Sequence, residues 1–308
     1  MSPSELRAAL ANGENIMALL RKRYGTQVNT EEFIEISYDL RAGMETDFLK
    51  DPAHAQYVKE SAAELARLLH QYGEPTSYLE AGVGEATTLS YLLQAYGKKQ
   101  VNAHGFDLCW SRVYRARQWL AQEAVPGVSL CTGSLTRIPF VDNSFDVVCT
   151  VESVGENAAH EAQILSELYR VASRYLILLE PAFELAPSEA QARMIQHGYC
   201  RDLAGHAKQL GMRVVEYKLF PLVENPLNPL GLIVIEKEPN RSSVTPRYRC
   251  PKYHTPLTRH DQVYFSEDSF IVYPIVAQIP CLRAENAIVA TLYAPEIALG
   301  VESPGEIA

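Results

Sequence analysis

The sequence predicts an α/β protein in which a mostly parallel sheet, covered by helices on both faces, ends in an antiparallel hairpin. Three observations carry that expectation. Between residues 76 and 181 short apolar runs alternate with helical patterns, as parallel strands joined by crossover helices require. The first of these runs, "YLEAGVGEATTL" at 78–89, passes from a strand through a glycine-containing turn into a helix. After residue 212 the alternation stops. There "RVVEYKLFPL" and "LGLIVIEKE" are separated only by "VENPLNP", too short for a crossover helix, so the two strands pair antiparallel.

Ahead of the sheet, residues 4–22 read as a helix with apolar positions at Leu6, Leu10, Ile16, Met17 and Leu20, interrupted by Gly13. "NTEEFIEISYDLRAG" at 29–43 opens with an Asn/Thr cap and an acidic first turn, and Gly43 suits its end. Residues 52–72 form a strongly amphipathic third helix. Strand "SYLEAGV" then precedes helix 86–96, and strand "VNAHGFDL" precedes helix 110–122. "VSLCTGS" is a third strand, "SFDVVCTVES" a fourth followed by helix 158–171, and "SRYLILLEP" a fifth followed by a long helix over 187–210. In the hairpin, "NPLNPL" reads as proline turn chemistry. Residues 238–247 form a polar linker, a small β-rich appendage follows, and the tail from 294 is expected to be loosely held. The expected units are 1–74, 75–238 and 248–290.

Composition narrows the function. A 308-residue chain with 47% hydrophobic and 21% charged residues has the make-up of a globular protein with a sizeable core. A net charge of −9 with scattered basic residues disfavours a broad nucleic-acid surface, and the one tight basic cluster, "RKRY" at 21–24, reads as decoration of a helix face. No apolar run approaches the roughly 18 residues that span a bilayer. The first residues lack a basic segment followed by an apolar one, so no secretion signal is visible. Six cysteines without close pairs suit a reducing cytoplasm.

The turn after the first strand places Glu80 near the strand end, with Gly82 and Gly84 where a Cβ would block close approach of a ligand to the backbone. Asp107 ends the second strand in "GFDLCW", where an acid accepts both hydroxyls of a ribose. These two pieces point to an adenosine-containing cofactor. With "SLTRIPFVDNSFDVVCTVESV" at 134–154, residues 30–238 resemble the class I S-adenosylmethionine-dependent methyltransferases. The resemblance implies a Rossmann-like seven-stranded sheet, mostly parallel with a terminal antiparallel hairpin, beneath an N-terminal helical cap. It implies S-adenosyl-L-methionine as cofactor and S-adenosyl-L-homocysteine as product. Carried over position by position, Glu80, Gly82 and Gly84 face the methionine portion, Asp107 the ribose, and Leu108 the adenine. Ser134 and Leu135 stand where the family often has an acid and an apolar residue beside the adenine amine and ring. Val151, Glu152 and Ser153 follow the fourth strand, where sulfonium and acceptor meet. Tyr38 is either a lid on the cofactor, as similarly placed tyrosines are in relatives, or a half-buried aromatic on an amphipathic helix.

Methyl transfer requires alignment, exclusion of water and, for some acceptors, a base. Glu152, His160 and Glu180, near the carboxyl ends of strands four and five, are the candidates, against roles as helix caps or solvated charges. Phe183, His197 and Tyr199 either contribute to a substrate lid or pack on the N-terminal helices. The segment 248–285 resembles the zinc-ribbon-like family of tRNA methyltransferase activators through Cys250, Pro251, Leu257, Tyr273-Pro274-Ile275 and Ile279-Pro280. Its metal ligands are incomplete: Cys250, His254, His260 and Cys281 fit no established knuckle, and no bound metal is expected. The expected function is methylation of a small-molecule acceptor in biosynthesis, with a homodimer compatible with it. An rRNA or tRNA methyltransferase and a non-catalytic binding protein are the alternatives.

Overall fold

A computed structural model of the chain describes residues 1–72, 74–97, 101–238 and 245–293. Five helices come first: α1 (Pro3–Ala11), α2 (Ile16–Tyr24), α3 (Glu31–Asp39), α4 (Met44–Phe48) and α5 (Pro52–Gln71). Caps set their boundaries. Ser2 and Glu5 form a capping box on α1, and the Asn15 side chain accepts from the Ala18 N–H at the start of α2, so the helix expected over 4–22 is two helices. Thr30 caps α3, which stops at Asp39, and Gly43 opens α4 instead of closing a helix over 29–43.

The central unit continues β1 (Ser77–Ala81), α6 (Thr87–Tyr96), β2 (Asn102–Asp107), α7 (Trp110–Gln122), β3 (Ser129–Thr132), β4 (Phe145–Val151), α8 (Glu161–Val171) and β5 (Ala172–Pro181). Two helices follow, α9 (Ser188–His197) and α10 (Leu203–Gln209), where one long helix was expected over 187–210; Gly198 ends α9 in the left-handed region and the Asp202 side chain caps α10. Strands β6 (Arg213–Leu219) and β7 (Leu230–Glu236) complete a seven-stranded sheet of order β3-β2-β1-β4-β5-β7-β6. Only β7 runs against its neighbours, pairing antiparallel with both β5 and β6, as the short hairpin connection requires. Because β2 lies on one side of β1 and β4 on the other, the loops leaving β1 and β4 diverge and open a crevice at their carboxyl ends.

Alternate residues feed two cores. Leu79, Val148, Leu176 and Leu178 face one hydrophobic cluster, while Tyr78, Val147, Ile177 and Leu179 face the other. Beyond the main sheet, β8 (Thr258–His260), β9 (Val263–Ser266), β10 (Ile271–Val276), β11 (Ile279–Pro280) and β12 (Ile288–Val289) make a second, antiparallel sheet. It lies against the free edge of β3: Cys281 bridges Thr132, and the Leu282 N–H donates to the Thr132 carbonyl at 3.3 Å. Most of the expected linker at 238–247, and the tail from 294, lie outside the described residues.

Candidate active site

A cavity of about 430 Å³ occupies the crevice, roofed by α3, α4 and α5. Its volume is that of a small-ligand site. At one end lies the turn after β1. Gly82 and Gly84 take φ of +79° and +56°, and a Cβ on Gly82 would stand 2.3 Å from the Ser153 Cβ, so both the backbone conformation and the space call for glycine. The N–H groups of Gly82 and Val83 donate to the Phe106 carbonyl at 2.9 and 2.8 Å, fastening this turn to the end of β2.

Asp107 is buried there, accepting from the N–H of Gly84 at 3.0 Å and of Cys109 at 2.9 Å. Burial pushes its carboxyl up to about 6, against those two backbone donors. Arg112 approaches the same carboxylate at 3.4 Å, pairs with Glu45 and lies over the Tyr38 ring at 4.8 Å. Glu80 is buried beneath the turn, its Oε2 has no hydrogen-bond partner, and burial pushes its carboxyl up to about 8. Tyr38 lines the cavity and donates its hydroxyl to Glu156 Oε1 at 2.5 Å. Leu108, Leu135 and Val151 also line it.

Ser134 does not line the cavity. Its hydroxyl donates to Glu31, which α3 brings down and which also accepts from the Thr136 hydroxyl at 2.7 Å. Glu31 itself lines the cavity, so a carboxylate stands beside Ser134 although none is adjacent in sequence. Glu85, fully buried behind the glycine turn, accepts from the Gly43 N–H, from the Thr46 N–H at 3.0 Å and from the Thr46 hydroxyl at 2.8 Å; Glu45 in return accepts from the Glu85 N–H at 3.0 Å. The acid in "GVGEA" was visible in the sequence, but its partners lie about forty residues upstream and no local pattern announces them.

The other end of the cavity is built around Glu152. Its φ of +48° turns it off the end of β4, and its Oε1 accepts from Asn228 Nδ2 at 2.9 Å. Much of its surface is exposed, but to the interior of the cavity. Burial among the cavity walls, with Glu156 and Glu224 nearby, pushes its carboxyl up to about 7, and Arg193 opposes the shift. Tyr57 is pushed up to about 12 by burial and the charge of Glu152. His54, on the first turn of α5, meets Glu224 of the β6–β7 hairpin at 2.5 Å, tying roof to hairpin. Asn228 belongs to "NPLNPL", so this hairpin segment is a wall of the cavity as well as a proline-shaped turn.

Two of the expected catalytic carriers do not reach the cavity. His160 is exposed at the start of α8, whose helix begins three residues later than expected and leaves this side chain on the outer surface. Glu180 is buried and accepts the N–H groups of Ser153, Val154 and Gly155, each at 3.1 Å. With both oxygens committed, it orders the loop that carries Glu152. Of the three residues considered for a lid, Tyr199 lines the cavity; Phe183 packs against Ala186, Ala190 and Met194, and the His197 ring meets Tyr199 at a tilt, 5.5 Å between centroids. Arg21 of the basic cluster is not mere decoration: it donates to the carbonyls of Gln196 and His197, joining α2 to the end of α9.

In the second sheet, Cys250 is buried against the Tyr273 hydroxyl at 3.3 Å, and the Cys281 thiol is directed at the Ile279 carbonyl. Among the described residues no group of three or more His, Cys, Asp or Glu is arranged to hold a metal ion, and no helix is long and apolar enough to cross a membrane.

Residues 79–174 match a family model described as "Methyltransferase domain". The chain carries a class I S-adenosylmethionine-dependent methyltransferase domain. The match takes in the glycine turn, Asp107 and Glu152, and the cofactor of such domains is S-adenosylmethionine. Among solved structures, the methyltransferase is similar to magnesium protoporphyrin IX methyltransferase from Synechocystis, determined with bound S-adenosylhomocysteine, at 15% identity over 66% of this chain and 99% of that one, with a TM-score of 0.51. A SAM-dependent methyltransferase from Aquifex aeolicus is similar at 20% identity over 55% of this chain and 87% of that one, with a TM-score of 0.41. At 15% identity the likeness to the Synechocystis enzyme is one of fold. No curated protein sequence matches the methyltransferase, and no finding supports the zinc-ribbon-like resemblance of its C-terminal segment, since the family match ends at residue 174.

The site fits the cofactor. Gly82 and Gly84 line the cavity with bare backbone, Asp107 presents a buried carboxylate at the end of β2, and the Glu80 Oε2 on the same wall has no partner in the protein.

Proposed function

We propose that this methyltransferase acts on a small polar acceptor held at the Glu152 end of the cavity. Glu80, Gly82, Gly84 and Asp107, with Tyr38, Leu108, Leu135 and Val151 around them, hold the cofactor, and Glu31 supplies the carboxylate beside Ser134. S-adenosylmethionine held there would supply an activated methyl group to the acceptor and leave as S-adenosylhomocysteine. Glu152 receives the acceptor proton, a task suited to a carboxyl held at about 7 by burial. Glu180 keeps the loop bearing Glu152 in place.

The observation that carries this reading is that the cavity is continuous and roofed. It runs from the glycine turn to Glu152, and the Glu45–Arg112, Tyr38–Glu156 and His54–Glu224 contacts tie its roof to its walls. A covered site of this size admits a metabolite and excludes water; a polynucleotide needs an open, basic approach. The test is to incubate the protein with methyl-labelled S-adenosylmethionine in a small-molecule cell extract and, separately, with total tRNA and rRNA. Label is expected in the low-mass fraction of the extract. Label transferred only to RNA would overturn the proposal.

A further inference from the structure

At the Glu152 end the charged groups are unevenly satisfied. Glu156 takes the Tyr38 hydroxyl and Glu224 takes His54. Arg112, the other cavity-lining arginine, is engaged by Asp107 and Glu45. Arg193, which α9 carries into the same wall, is different: its Nη1 is buried without a hydrogen-bond partner. The rest of the guanidinium shares a hydrogen bond with Tyr199 and its charge acts on Glu152, so Nη1 is the part left over. Asn228 likewise donates Nδ2 to Glu152 yet leaves its own Oδ1 buried without a partner. A buried donor on a cation and a buried amide acceptor are each costly to leave unmatched, so both point to a ligand that completes them.

We infer that the acceptor carries a carboxylate held by Arg193 and, beside it, the N–H or O–H to be methylated, held by Glu152 and Asn228. The two ends differ in sign, and so must the ligand. A planar guanidinium suits a carboxylate. A single negative charge is also what this wall tolerates, because Glu152, Glu156 and Glu224 stand close by and would repel the second charge of a phosphate ester. The nucleophile is placed by the groups that must accept its proton or its hydrogen bond, Glu152 and Asn228 Oδ1. The apolar bulk between is met by the rings of Phe48, Tyr57 and Tyr199. The acceptor class is therefore a small amino or hydroxy carboxylic acid.

This assignment rests on the proposed methyl transfer to a small acceptor, and its test separates the two. Protein saturated with S-adenosylhomocysteine is titrated calorimetrically with sarcosine, anthranilate and salicylate, and with their uncharged amides. At least one acid is expected to bind, with its amide weaker by about tenfold or more, the loss of one charge-assisted contact. Arg193→Gln is expected to erase that preference while leaving S-adenosylhomocysteine affinity unchanged, and Arg193→Lys to retain part of it. Binding of none of the acids, equal binding of acid and amide, or a preference that survives Arg193→Gln would each overturn the inference. So would weaker S-adenosylhomocysteine binding in both Arg193 variants, which would assign the guanidinium to the cofactor. Failure of the wild-type protein to bind S-adenosylhomocysteine at all would instead overturn the methyltransfer reading beneath it.

Discussion

Glu80 shows how far one side chain can be set by its surroundings. It lies next to the end of an apolar strand, is buried beside Tyr78 and Cys149, and its carboxyl is pushed up to about 8 from an ordinary value near 4.3. The unfolded chain gives up this proton at lower pH than the native state does. The resulting stabilisation is present in full below about pH 4.3 and is lost as pH rises through about 8. Asp107, Glu152 and Glu180, raised to about 6, 7 and 7 by burial, act in the same direction. The thermal midpoint of the free protein should fall between about pH 5 and pH 8, and Glu80→Gln, which has no proton to lose, should fall less. Parallel midpoint curves for wild type and variant would show that Glu80 is ionised in the native state. Glu80, Gly82, Gly84 and Asp107 were legible in sequence because the backbone turn that joins them is local. Arg193 and Glu31 were not, because their roles depend on which distant wall of the cavity they meet.

At the scale of elements, α4 is the least self-sufficient helix. It has five residues, a glycine at its N-cap and no buried residue of its own. Helices this short do not hold in isolation. What fixes it is Glu85, whose carboxylate takes two N–H groups and a hydroxyl from its first turn, while Glu45 returns a contact to the Glu85 N–H. Glu85→Ala removes the acceptor from three buried or half-buried donors and should cost about 1–3 kcal/mol. The loss should be local: amide hydrogen exchange over residues 43–48 should speed up while exchange in β1, β4 and β5 stays slow. Unchanged exchange in that segment would show that packing alone holds the roof. The break near Gly13, the end of α3 at Asp39 and the separation of α9 from α10 follow the same logic. Apolar periodicity ran through these boundaries, and local caps and turns stopped the helices.

For the whole molecule, the C-terminal sheet is continuous with the main core. Cys250, Tyr273 and Leu282 are fully buried in the cluster that contains Leu79, Phe106 and Phe145. The segment also covers the β3 edge, and Arg283 pairs with Glu35 on the roof helix α3. Each buried apolar side chain of this kind contributes about 1.5–3 kcal/mol, and an uncovered edge strand invites association. Heating the full chain should therefore give a single unfolding transition. Removing everything after residue 244 should lower the midpoint by about 10 °C or more and promote aggregation. Two separate transitions in the full chain would show instead that the C-terminal segment folds by itself.

The sequence by itself determined the periodicity of the strands, the antiparallel hairpin, the glycine turn and the acid at the end of β2. Each is written within a few residues of backbone, where alternation, turn chemistry and strand spacing act directly. Only the tertiary structure decided which carboxylates face the cavity. It turned Glu152 inward at a positive φ, committed Glu180 to three backbone donors, left His160 on the surface, and brought Glu31, Arg193 and Asn228 to the walls from three distant elements. The reason is physical: a charge is given its role by what is packed around it, and that packing exists only once α3, α9 and the β6–β7 hairpin have closed over the sheet.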